Sequence, residues 1–110
     1  MATIKIKSNP YEQKIEYFDY NDEGSGWEKI QQSNPNSKLR EEESEKSFLP
    51  FKIKEIVDII LDEYYTGTDK VNIVFEGTQE EYEEIEKICG LPEVTDKVTL
   101  EKSKNIPATP

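Results

Sequence analysis

Histidine is absent from this 110-residue chain, and cysteine occurs once. Without imidazoles or paired thiols it cannot assemble most zinc sites, a Cys-His or Ser-His-Asp nucleophile, or a disulfide framework. Long apolar runs are missing too. None approaches the ~20 residues of a membrane helix, and the opening MATIKIK has no apolar signal core, so direct membrane insertion is not expected. Cations are scarce: 14 Lys plus Arg against 24 Asp plus Glu give a net charge of −10. A chain this acidic repels phosphate backbones, so no nucleic-acid partner is expected. One thiol and no signal core suit a reducing, cytoplasmic setting.

What is present is bunched. Apolar residues are 34% of the chain and charged residues 35%. The apolar share concentrates in IKIK, KIEYFDY, KIKEIVDIILDEYY and VNIVFEG, and the aromatics add bulk, since each buries ~150–250 Å². That is enough for one ordered domain over residues 1–102, with 103–110 as a proline-containing tail or linker.

Alternation of Ile4 and Ile6 with Lys5 and Lys7 predicts a strand over 2–7, because period two places alternate side chains on opposite faces. Ser8-Asn9-Pro10 reads as a turn, 13–20 as an aromatic-rich strand, 21–26 as a polar loop with two glycines, and 27–31 as a third strand. Residues 32–47 read as a long charged loop whose lone apolar residue is Leu39. Ile53, Ile56, Val57, Ile60, Leu61 and Tyr64 form one helical stripe within 48–65, with Lys54, Asp58, Asp62 and Glu63 largely away from it. Ser47 is a candidate N-cap, Pro50 suits the first turn, and Gly67 closes the helix. Val71–Glu76 is apolar enough for a central strand. Thr78 and Glu81 match a capping box for a second helix whose stripe is Tyr82, Ile85, Ile88 and Cys89. Gly90 at C′ and Pro92 mark its stop, and 97–101 is a last short strand.

The expected order is βββ-α-β-α-β: an α+β domain with a mixed five-stranded sheet and two helices mainly on one face. Its strand at 71–76 runs parallel to the last strand if the two are neighbours. The expected core is Ile53, Ile56, Val57, Ile60, Leu61, Ile73, Phe75, Tyr82, Ile85 and Ile88 against Ile4, Ile6, Ile15 and Tyr17.

Several patterns touch on chemistry. Asp19 to Gly24 begins like a calcium loop, but the pattern degrades at Glu23, and Ile30 stands where a bidentate Glu belongs. The strand-to-helix junction at Gly77-Thr78 is where phosphates are often held, yet Glu76, Glu80 and Glu81 surround it and no glycine-rich phosphate loop exists. Glu80, Glu81, Glu83, Glu84 and Glu86 read as a solvated helix face rather than a catalytic pair. Cys89 lies on an apolar stripe and reads as core. No cofactor, no metal and no catalytic residue is expected, and the chain by itself is not expected to be an enzyme.

One feature points to binding. Ile15 and Tyr17 share one face of their strand and Phe18 and Tyr20 the other, with Trp27 and Ile30 close by on the neighbouring strand. An apolar outer face calls for a cover or a partner. Phe18, Tyr20 and Trp27 are therefore the candidate interaction residues. Asp19, Asp22 and Glu23 would give them an acidic rim, which favours a basic or mixed partner; the alternative is burial under the 32–47 loop.

The stretch FLPFKIKEIVDIILDEYY…VNIVFEGTQEEYEEIEKIC, with the opening IKIKSNPYEQKIEYF, resembles the region preceding the GTPase core in some bacterial dynamin-like proteins. The resemblance spans most of the chain and includes no GTPase motif. It implies a non-catalytic accessory domain near the N-terminus of a longer protein, contacting a protein partner or other domains of its parent chain. A free-standing acidic adaptor or regulator is the alternative, and a small-molecule sensor binding between the sheet and Thr78 a further one.

Overall fold

A computed structural model of the protein describes residues 2–9, 14–21, 26–40, 42–43 and 50–103, with the backbone alone at 21, 42–43 and 50–51. Its strands are β1 (Thr3–Asn9), β2 (Lys14–Asn21), β3 (Gly26–Lys29), β4 (Glu42–Glu43), β5 (Val71–Glu76) and β6 (Val98–Lys102). Its helices are α1 (Ile30–Ser33), α2 (Pro50–Tyr64), α3 (Gln79–Cys89) and α4 (Pro92–Thr95). The fold is α+β.

Five strands lie side by side in the order β3-β2-β1-β5-β6, and the two-residue β4 extends the edge of β2. β1–β2 and β2–β3 are antiparallel, whereas β1–β5 and β5–β6 are parallel. The sheet is therefore mixed, an antiparallel meander joined to a parallel half. The expected order βββ-α-β-α-β is matched in part: α1, β4 and α4 are interposed and were not expected.

The registers divide the sheet residues between two faces. Ile4, Ile6 and Ser8 of β1 stand beside Asp19, Tyr17 and Ile15 of β2 on one face, and beside Ile73 and Phe75 of β5. This face meets the stripe of α2 (Ile53, Ile56, Val57, Ile60) and that of α3 (Ile85, Cys89) in one apolar cluster. Leu61, Tyr82 and Ile88, expected in its centre, lie at its margin and are only partly buried. Ile30, Leu39, Val71, Val94 and Val98 complete it.

Four boundaries moved for identifiable reasons. Ser8 and Asn9 are strand, not turn: Ser8 continues the inward alternation, opposite Ile15. Ile30 is not on the third strand; it opens α1 and is fully buried. Leu39 is anchored from α2. Ser37 donates to Glu63 Oε1, the Lys38 N–H donates to Glu63 Oε2 at 2.8 Å, and the Leu39 N–H donates to Ser37 Oγ at 3.0 Å. Glu63, expected to face solvent, thus draws this segment onto the helix side. Gly90 is the C-cap of α3 in right-handed geometry (φ −87°), not a left-handed C′ residue, and Pro92 starts α4 instead of merely stopping α3. Gly67 does supply a positive φ of 92° after α2, a conformation that favours glycine. The expected N-cap at Ser47, the turn residue Pro10 and the tail 104–110 lie outside the described residues.

Candidate functional site

With α2 and α3 gathered on one face, the opposite face of the sheet carries the residues left by the alternation. β1 contributes Lys5 and Lys7, β2 contributes Glu16, Phe18 and Tyr20, β3 contributes Trp27 and Lys29, and β5 contributes Asn72, Val74 and Glu76. Among the described residues no helix lies on this side, and Tyr20 (47% exposed) and Trp27 (37% exposed) are the exposed large hydrophobics. The three candidate residues come together here. Tyr20 and Trp27 are directly opposed across β2–β3, their rings edge to face with centroids 5.1 Å apart, a favoured aromatic geometry. Lys5 Nζ lies 5.2 Å from the Trp27 centroid and 5.8 Å from that of Phe18, so its ammonium bridges two ring faces. Phe18 is half-buried.

Ion pairs surround the rings. Lys5 and Lys7 reach Glu76 at 3.2 and 3.8 Å, and Lys29 reaches Glu16 at 3.4 Å. The far half of the same face combines the buried Val74 with polar contacts: Thr99 Oγ1 donates to Asn72 Oδ1 at 2.8 Å, and Asn72 Nδ2 donates to Glu101 at 3.4 Å. Two expectations about this surface are corrected. Leu39 does not fold over Phe18 and Tyr20, because it is buried in the cluster with α2 on the opposite side. Asp19 is not part of the rim. It pairs with Glu28 on β3 and Ile4 on β1, on the helix side. There burial raises its carboxyl pKa, the Tyr20 backbone N–H lowers it, and the Glu28 charge raises it. Asp22 and Glu23 lie outside the described residues.

The other chemical candidates resolve structurally. Thr78 and Glu81 form the expected capping box: the Glu81 N–H donates to Thr78 Oγ1 at 3.2 Å, and the Thr78 N–H donates to Glu81 Oε1 at 2.9 Å. Glu81 is not on a solvated face, however. It is 4% exposed, and Ser8 Oγ donates to its second oxygen at 2.7 Å. A buried carboxylate needs such donors, and Ser8 supplies one because it occupies an inward position on β1. A Cβ on Gly77 would meet Phe75 at 2.7 Å and Glu81 at 2.9 Å, so side chains already occupy the junction beside Thr78. Burial pushes the Cys89 thiol up to about 11, which keeps it protonated and unreactive at neutral pH.

Ile30, the twelfth position of the calcium-like pattern, is core. Among the described residues no group of three or more acidic or thiol side chains is placed to hold a metal ion, and no helix is long and apolar enough to cross a membrane. Sequence reasoning missed Lys5 as a member of the aromatic site. The outward period of β1 held the signal, but only the β1–β2 register puts Lys5 opposite Phe18. No family model, curated protein or solved structure matches the chain.

Proposed function

We propose that this chain is a non-catalytic accessory domain that binds protein through the helix-free face of its sheet, as a module of a longer protein of the dynamin-like type. The observation that carries the reading is the pairing of Tyr20 and Trp27. They are exposed while the apolar side chains of the opposite face converge in a single core. Trp and Tyr dominate interface energies because they bury large rigid surfaces at little entropic cost. A T-shaped pair on a sheet held rigid from behind is pre-organised for that role. The resemblance of 48–89 and of the opening strands to the region before a dynamin-like GTPase core supports placing the domain in a larger chain.

Trp27 is the sole tryptophan, so its fluorescence reports on this face directly. In the isolated domain its emission is expected at the long wavelengths of a wetted indole. In the full-length parent protein, with any other tryptophans replaced, the emission shifts to the blue and amide exchange in β2 and β3 slows. A Tyr20→Ser/Trp27→Ser variant should keep the domain's melting temperature within a few degrees and release those contacts. Unchanged exchange between domain and parent, or collapse of the isolated double variant, would overturn the reading.

A further inference from the structure

Resting on that reading, we infer that the occupant of the aromatic face is an extended acidic protein segment with an aromatic or aliphatic side chain to set against Tyr20 and Trp27. The argument is the depth of the charges. In two of the three ion pairs around the rings the lysine side chain is much more exposed than the carboxylate, whereas Lys5, held between Glu76 and the rings, is itself only 16% exposed. The Glu76 side chain is 9% exposed beneath Lys7 at 36%, and Glu16 is 14% exposed beneath Lys29 at 45%. Among the described residues around the rings, a docking chain therefore meets Tyr20, Trp27 and the ends of Lys7 and Lys29 before Glu16 or Glu76. Glu101 is exposed, but it lies across the sheet on β6, beyond β1 and β5. Against a net charge of −10, the described charges around the rings, Lys5, Lys7 and Lys29 against Glu16 and Glu76, sum to +1. Complementary charge across an interface sets partner choice and orientation.

Size selects an extended segment over a globular surface. Three strands about 4.8 Å apart and about four residues long outline a platform of roughly 200 Å² in plan, against about 800 Å² per partner in a standard interface. A single-stranded nucleic acid would also stack on the rings, but every flanking phosphate would feel the acidic remainder of the molecule. A short peptide can confine its charge to the lysine side.

The test titrates three probes into the protein with Trp27 emission as readout: an acidic peptide of about 12 residues centred on Phe and Leu, the same peptide with Lys and Arg in place of Asp and Glu, and an oligothymidylate of similar length. The acidic peptide alone should bind, and its affinity should fall roughly tenfold between about 50 and 300 mM salt. Lys29→Glu should weaken it by about tenfold or more. Lys54→Glu, the same charge change on α2, should have little effect, and circular dichroism checks that both variants fold. Should Lys29→Glu unfold through repulsion of Glu16, Lys29→Gln serves instead, with a smaller loss expected. Binding of the basic peptide would overturn the charge assignment while leaving the sheet-face reading intact. Binding of the oligonucleotide would overturn it in favour of a nucleic-acid platform, and silence from all three probes would overturn it outright.

Discussion

The two faces of the sheet use the same strands and the same period-two alternation, yet they differ in what the alternation delivers. The helix-side face receives Ile4, Ile6, Ile15, Tyr17, Ile73 and Phe75, and two helices bring matching stripes to it. The open face receives lysines and glutamates interleaved with Phe18, Tyr20 and Trp27. One face is insured by many mutually dependent contacts. The other is held mainly by side-chain pairs, with Val74 buried among them beside Lys5. Stability therefore resides on one side of the sheet and freedom to bind on the other, and substitutions should separate the two.

The largest effect belongs to the covered face. Ile60→Ala removes a fully buried side chain of α2 and should cost ~2–5 kcal/mol by denaturant unfolding. A domain of this size has only ~5–15 kcal/mol in total. A loss below about 0.5 kcal/mol would mean that α2 does not present this stripe to the sheet.

Next comes the polar tie on the same face. Glu81→Ala removes the acceptor shared by Ser8 Oγ and the Thr78 N–H, leaving buried donors unpaired, and should cost ~1–3 kcal/mol. Adding Ser8→Ala to it should cost less than the two changes separately, since they remove one interaction. A double-mutant cycle checks this.

On the open face, Tyr20→Ser removes one edge-to-face pair and should cost only ~0.2–1 kcal/mol. A loss as large as that of Ile60→Ala would erase the distinction between the faces.

Asp19 sharpens the comparison by reversing the sign. Its folded-state pKa is raised above the ordinary 3.8, chiefly by burial, so the folded state holds a proton that the unfolded chain has already released. This contribution to stability is present at low pH and is lost as pH rises through the raised folded value. Asp19→Asn should therefore be neutral to stabilising at pH 7, and it should flatten the stability profile on the alkaline side of pH 3.8. Denaturation midpoints measured across that window test it. A variant clearly less stable at neutral pH would show that the ionised carboxylate is favourably partnered.

Much of the fold was legible because strong local patterns agreed with their surroundings. The stripe of α2 and the Thr78–Glu81 box are written within single turns of helix, and β5 within six consecutive residues. The aromatic site was legible as three residue names, through the opposed parities of Tyr17 and Phe18. Its charge was misread. Asp19 follows Phe18 in sequence, but strand alternation turns it to the other side, and the cations that do flank the rings come from β1 and from Lys29 of β3.

Composition and periodicity alone excluded histidine and disulfide chemistry and indicated the two long helices, the main strands and most of the core stripes, because those properties depend on residue identity and near-neighbour spacing. Tertiary structure decided what no local pattern encodes. It turned the 37–39 segment onto Glu63, sank Glu81 beneath Ser8, and set Lys5 over Phe18 and Trp27. Each joins residues distant in the chain, and their meeting depends on strand register and on which face the helices cover, both of which emerge only when the whole sheet assembles.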